Sequence, residues 1–222
     1  MGQRGVGGKH ERGNTGGMGA YSPAPVLTDA IAQQALERIV RPTMAEMARR
    51  GTPYQGVLYA GLMIKDGAAR LVEYNARFGD PECQVLMKGL KGDIVPALLA
   101  SATGGLKGNE EAFEALLELD QFEPTATVVM AMTGYPGAVE KGSVIKHVGK
   151  ANELPGVHVF HAGTDRNQLG MLTANGGRVL NVTASGSTLR EAIDRAYAGV
   201  DAIDWPEGFC RRDIGWRALE RG

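Results

Sequence analysis

Between Thr28 and about Arg50 the apolar side chains Ile31, Ala35, Ile39, Met44 and Met47 return at roughly helical spacing. That rhythm predicts a helix with one face turned to a core. Thr28 is placed to cap it and Gly51 to end it, while Pro42 should kink or split it. Its methionines read as core packing. The period then changes. Val57 to Ile64 is an apolar run, Asp66-Gly67 is a two-residue turn signal, and Ala69 to Asn75 runs back. A hairpin is expected there. With a two-residue turn, Glu73 lies opposite Ala60 and Asn75 opposite Leu58. Helices are expected from Asp80 to about Gly89, from Asp93 to about Thr103 and from Asn109 to Leu119, each opened by an Asp or Asn. In the first, Asp80 should be the cap, with Pro81 at the first helical position.

Phe122-Glu123-Pro124 ends the helical stretch, and a domain boundary is expected there. Beyond it come short β-branched runs: Thr125 to Met132, Ser143 to Val148, Val157 to His161, Gln168 to Thr173 and Arg178 to Thr183. Asn175-Gly176-Gly177 reads as a hairpin turn between the last two. One helix closes the set. Thr188 and Glu191 form its capping box, and Leu189, Ala192, Ile193, Ala196, Tyr197 and Val200 its apolar face. The fold class is therefore α+β: an antiparallel sheet with helices over 14–122, then a small β-rich domain with one helix over 123–222. Residues 1–13, mostly glycine and charge, read as a flexible leader.

Composition narrows the function classes. Lys and Arg total 24 against 25 for Asp and Glu, so no basic field argues for nucleic acid. No run of 18 or more apolar residues marks a membrane span, and the first twenty residues lack the apolar core of a secretory signal. Cys83 and Cys210 lie far apart and match no metal or redox spacing, so reduced thiols and a cytoplasmic location are expected. His158 and His161, three apart on a strand, fall on opposite faces and read as packing or hydrogen-bonding residues.

Candidate chemistry gathers in 71–84, LVEYNARFGDPECQ. On a strand, Glu73, Asn75 and Arg77 point to one side, over about 14 Å. That row supplies a carboxylate, an amide oxygen and a cation. Hard cations such as Mg²⁺ take such oxygens and are often shared with a nucleotide's phosphates. The arginine suits a carboxylate or phosphate. The same spacing also fits a strand whose polar face meets water. Capping alone accounts for Asp80 and Glu82. The loop Asn14 to Gly19, NTGGMG, has amides that can approach an anion closely. It is neither a Walker nor a dinucleotide fingerprint, and it also fits an ordinary turn.

Six segments together closely resemble the phosphoribosylamine–glycine ligase family of ATP-grasp ligases. They are Asn14 to Pro25, Glu73 to Gln84, Gly134 to Gly137 with Lys141-Gly142, Val159 to Thr164, Gly176 to Ala184, and Arg211 to Ala218. The resemblance runs in order from residue 14 to about 220. It implies the carboxy-terminal part of an ATP-grasp domain followed by the family's C-terminal domain. It also implies a reaction in which the carboxylate of glycine takes the γ-phosphate of ATP and the amine of 5-phosphoribosylamine displaces it, giving glycinamide ribonucleotide, ADP and phosphate. By the same resemblance Glu73 and Asn75 hold Mg²⁺ or Mn²⁺, and Arg77 serves the carboxylate or acyl phosphate. Asn14, Thr15, Gly16, Gly17 and Asp80 then contact substrate. Members of the family are expected to be about twice as long, and 1–13 do not resemble what precedes NTGGMG in them. The chain therefore reads as a carboxy-terminal half, inactive alone and needing a separate N-terminal half. Two alternatives stand beside this: another ATP-grasp ligase, against which the Arg211 to Ala218 run speaks, and a non-catalytic fragment or partner subunit.

Overall fold

The computed structural model describes residues 15–104 and 122–221. Asn14 and the helix expected over Asn109 to Leu119 lie outside them. The described residues form two compact units. One contains 15–23, Asp80–Gly89 and 123–221; the other contains Ala24–Gly79, 90–104 and Phe122. One edge of the second unit lies between Phe122 and Glu123. The first unit also takes in two earlier pieces, because strand β1 (Gly19–Ser22) pairs with β4 (Thr125–Met132), and helix α3 (Glu82–Gly89) lies against β1, β4 and β8 (Arg178–Ser185).

That unit is built on an antiparallel sheet in the order β1-β4-β8-β5, with β5 at Val157–His161 and the short β9, Gly208–Phe209, pairing the far end of β4. A period of two sorts its side chains. Val128, Met130, Leu180, Val182 and Ala184 face one core, which Ala196 and Val200 of helix α6 (Leu189–Ala202) complete. Burying each such branched side chain is worth about 1.5–3 kcal/mol. Thr188 caps α6 as expected, its Oγ1 accepting from Glu191 N at 3.2 Å, while the Glu191 carboxylate turns to Ser187 N at 2.7 Å. Short helices α5 (Val148–Asn152) and α7 (Trp216–Leu219) complete the unit.

The structure redraws two expected strands. Ser143 to Val148 makes only isolated bridges, from Val144 to Thr173 and from Lys146 to Asp204, before α5 begins. The Gln168 to Thr173 run becomes β7, Leu172–Ala174, whose partner is β6, Thr164–Arg166. Asn175-Gly176-Gly177 is therefore a link between two sheets, not a hairpin turn: β7 and β8 do not pair.

In the second unit the helix from Thr28 is present, with Thr28 Oγ1 accepting from Ile31 N at 3.4 Å. It runs as α1 (Asp29–Ala35), a π-helical turn over Leu36–Val40, and α2 (Arg41–Arg49). Pro42 lacks the N–H that would continue an α-helical ladder, and the widened turn just before it lets the helix continue. Ile39 O accepts from Thr43 Oγ1 at 2.8 Å and from the Tyr74 hydroxyl at 3.1 Å, which ties the helix to the strand that carries Tyr74. The hairpin is β2 (Tyr59–Lys65) and β3 (Ala68–Asn75) across Asp66-Gly67. Helix α4 (Val95–Ala102) begins beside Asp93, whose Oδ1 accepts from Val95 N at 2.9 Å.

Candidate functional site

The hairpin register differs from expectation by one residue. Glu73 pairs with Gly61 and Asn75 with Tyr59, because Val72 is bulged between the Gly61 and Leu62 pairs. A bulge adds one unpaired residue and re-aims the side chains beyond it. It leaves Val72 65% exposed. It also sets Glu73 across from a residue with no side chain, and a Cβ added at Gly61 would lie 3.3 Å from Glu73 Cγ. The position directly opposite Glu73 thus carries no side chain.

Past the bulge the period of two holds. Asn75 Nδ2 donates to Glu73 Oε1 at 3.3 Å, and Arg77 Nη2 donates to Asn75 Oδ1 at 3.1 Å. The other guanidinium nitrogen of Arg77 donates to Phe78 O at 2.7 Å. The three side chains thus lie on one side in a hydrogen-bonded row. Glu73 and Arg77 are exposed and Asn75 is half-buried. A carboxylate and an amide oxygen on one side of a strand are the hard donors Mg²⁺ and Mn²⁺ take, although here the carboxylate meets the amide nitrogen and the amide oxygen meets Arg77. Among the described residues no group of three or more His, Cys, Asp or Glu side chains is suited to a metal. The donor set therefore fits a cation shared with another oxygen-rich group, such as a phosphate, better than a cage made wholly of protein. The depression lined by Gln55, Gly56, Leu98, Ser101 and Ala102 includes none of these three residues.

A second cluster belongs to the sheet unit. Asp80 does not cap α3. It stands in a turn with Pro81 after a cis peptide bond, the helix begins at Glu82, and the Asp80 Oδ2 accepts from Arg178 Nη2 at 2.6 Å. An ion pair has replaced the cap. Arg178 Nη1 also donates to Gly17 O at 3.0 Å and to Asp80 O at 3.1 Å. Gly16 N donates to the Tyr135 hydroxyl at 2.9 Å, and Thr15 is buried. The glycines are required by close approach. A Cβ on Gly17 would sit 2.4 Å from the Pro81 ring, and one on Gly16 would sit 2.7 Å from the Arg178 guanidinium carbon. Thr15, Gly16, Gly17 and Asp80 are thus brought together, by two residues that sequence reasoning had only as parts of motifs. Tyr135 stands in a turn and Arg178 at the head of a strand. Nothing local to either marks a partner more than a hundred residues away.

His158 and His161 are both exposed. The first ring stands edge-on to Phe160 and the second meets Thr164 Oγ1 at 3.1 Å, so both take ordinary contacts. Cys83 and Cys210 are free thiols, each pushed above its usual range by burial.

Two family models match the chain: the ATP-grasp (A) domain of phosphoribosylglycinamide synthetase over residues 4–83, and its C domain over 125–217. The first match begins within the stretch set apart above as a leader. The chain is 57% identical over 208 residues to phosphoribosylamine–glycine ligase of Mesorhizobium japonicum, covering 94% of this chain and 47% of that protein. It is 53% identical over 212 residues to the chloroplastic phosphoribosylamine–glycine ligase of Arabidopsis thaliana, covering 94% and 38%. Among solved structures, phosphoribosylamine–glycine ligase from Thermotoga maritima superposes with a TM-score of 0.75 at 33% identity, over 90% of this chain and 47% of that one. The chain spans about half the length, or less, of these relatives. Its α+β architecture is that of the carboxy-terminal part of an ATP-grasp protein, and the chain belongs to the phosphoribosylglycinamide synthetase family.

Proposed function

We propose that this chain contributes to the ATP-dependent ligation of glycine to 5-phosphoribosylamine, which yields glycinamide ribonucleotide, ADP and phosphate by way of glycyl phosphate, a step of purine biosynthesis. The observation that carries the reading is the row Glu73–Asn75–Arg77 on one side of a strand, in a chain whose relatives bear the name of that ligase. The chemistry must bring a carboxylate anion up to a triphosphate. A divalent cation, Mg²⁺ or Mn²⁺, supplies charge neutralisation between them, and Glu73 and Asn75 are the residues that would hold it. Arg77 would offer paired N–H donors to the carboxylate or the acyl phosphate. The Thr15–Gly17 loop and Asp80 would position a substrate, since most of the catalytic gain in such a transfer comes from placement.

Activity on this reading also requires the portion of the relatives' length that these 222 residues do not match. The balanced charge and the two free thiols support a cytoplasmic setting without nucleic acid, and no helix among the described residues is long and apolar enough to cross a membrane. The test is an assay of glycine-dependent ADP release. The purified chain alone should show none. The chain mixed with a polypeptide carrying the complementary half of a close relative should turn over, and Glu73→Gln should abolish that turnover. A mixture that never turns over, with both parts folded, overturns the proposal.

A further inference from the structure

The Arg178 side chain reaches both the glycine loop and the Asp80 turn. In β8, Leu180, Val182 and Ala184 face the core. Strict alternation would send Arg178 into the same hydrocarbon. The register shifts by one at this point: Met130 pairs with Leu180, Ala131 pairs with Arg178, and Val179 is bulged. Val179 joins Leu180 in the core and is fully buried. The Arg178 guanidinium is thereby free to turn to the loop and meet three acceptors: Gly17 O, Asp80 O and Asp80 Oδ2. Its side chain is 22% exposed, against 52% for that of Asp80.

A guanidinium is planar, with its donors fixed relative to one another. Holding two carbonyls and a carboxylate from two separate turns therefore fixes those turns against each other. Gly16, stacked over the guanidinium carbon, adds a steric register. The Tyr135 hydroxyl holds the Gly16 amide from a further loop, and the Tyr135 ring in turn fills the space where a Cβ on Gly177 would stand, 2.4 Å from the ring. Arg178 occupies Oδ2 of Asp80, so Oδ1 faces no protein donor among the described residues. An exposed carboxylate oxygen with a fixed orientation suits an amino group, which both proposed substrates carry.

We propose that Arg178 is a positioning residue: it clamps the Thr15–Gly17 loop to Asp80 and aims the Asp80 carboxylate at the amino group of a substrate. The second clause rests on the ligase reading; the first does not. Two measurements separate them. Amide hydrogen exchange on the 222-residue chain, comparing wild type with Arg178→Gln and Arg178→Lys, reads the clamp directly. In Arg178→Gln, the Gly16 amide should exchange at least tenfold faster while the β4–β8 ladder amides keep their wild-type rates. Arg178→Lys should fall between, because one ammonium cannot span three acceptors. Unchanged exchange at Gly16 in Arg178→Gln overturns the clamp, and so does loss of protection throughout the sheet, which would make Arg178 a general fold residue.

The steady-state constants of the complemented enzyme read the aim. Arg178→Gln and Asp80→Asn should each raise KM for one amine substrate at least tenfold and leave KM for ATP within twofold. A parallel rise in KM for ATP, or no rise for either amine, overturns the aim. If the wild-type mixture shows no turnover, the ligase reading fails, the aim falls with it, and the exchange result alone decides the clamp.

Discussion

Arg77→Gln should tighten the binding of Mn²⁺. The oxygen Asn75 would give a cation is Oδ1, and that atom accepts from Arg77 at 3.1 Å while Nδ2 donates to Glu73 at 3.3 Å. For Glu73 and Asn75 to share one cation, the amide must turn over, and turning breaks both bonds. Each is an exposed hydrogen bond, worth about 0.5–1.5 kcal/mol net, so the turn costs about 1–3 kcal/mol in all. Arg77 supplies half of that cost. It also sets a positive charge beside the cation. At a separation of about 6 Å in water, a divalent and a univalent charge repel by about 1.4 kcal/mol before salt screens them. Removing Arg77 should therefore favour the bound state by about 1–2 kcal/mol, a fall in Kd of about 5- to 30-fold.

The assay is a titration of the purified chain with Mn²⁺ in about 0.1 M salt, followed by loss of the free-ion electron paramagnetic resonance signal. Wild type, Arg77→Gln and Glu73→Gln are compared, and Glu73→Gln should bind most weakly. A Kd for Arg77→Gln equal to or above that of wild type refutes the competition. A Glu73→Gln chain that binds like wild type removes the carboxylate from the site altogether.

Gly17→Ala should destabilise the sheet unit by about 1–3 kcal/mol, because the new Cβ meets the Pro81 ring at 2.4 Å and Asp80 O at 3.1 Å, neither of which can step aside; a urea midpoint followed by the fluorescence of buried Trp205 reads it, and an unchanged midpoint counts against the close approach. Gly16→Ala and Arg178→Gln should be non-additive by about 0.5–3 kcal/mol, since the added methyl collides with the guanidinium that the second change removes; an additive cycle in the same assay sinks the stacking argument. Tyr197 is pushed up to about 12, chiefly by burial, with its hydroxyl accepting from Ile214 N and donating to Arg211 O, each at 2.9 Å. Its folded pKa is raised, so its contribution to stability is complete below the unfolded value near 10 and is lost as pH climbs toward about 12. Absorbance of tyrosinate at high pH should show a late-titrating tyrosine that Tyr197→Phe removes, beside Tyr21, which burial also holds above the ordinary value, and a high-pH titration that Tyr197→Phe leaves unchanged contradicts it.

The sequence made legible what lies within one element. The face of α6, the cap at Thr188, the hairpin turn at Asp66-Gly67 and the shared side of Glu73, Asn75 and Arg77 all follow from a period and a few local bonds. What it left hidden depends on contacts far along the chain. β1, only four residues long, is a strand because β4 is there to pair with it. Asp80 reads as a helix cap because Asp-Pro-Glu is a capping pattern, but an arginine 98 positions away outcompetes the helix amides for its carboxylate. A cap bond to that carboxylate would be charge-assisted too, but Arg178 meets the side-chain and backbone oxygens of Asp80 together, so local propensity yields to it.

The two bulges carry this furthest. Alternation is a rule of parity, and one inserted residue inverts parity for everything on one side of it. At Val72 the inversion changes which residue stands opposite Glu73, replacing Ala60 by Gly61, which has no side chain. At Val179 it lifts Arg178 out of the core and delivers it to the glycine loop, 161 residues away in sequence. Neither bulge leaves a mark in the hydrophobic pattern, because Val72 and Val179 are valines in strands rich in apolar residues. A composition suited to a regular strand therefore carries two irregularities, one beside side chains proposed to meet a cation and one beside the arginine proposed to position Asp80. With Val179 kept but paired in strict alternation, Arg178 would stand two residues from Leu180 on the apolar face, where an unpaired charge is too costly to bury. The strand would then have to reopen the bulge elsewhere or unfold, so the irregularity is a condition of placing that guanidinium at all.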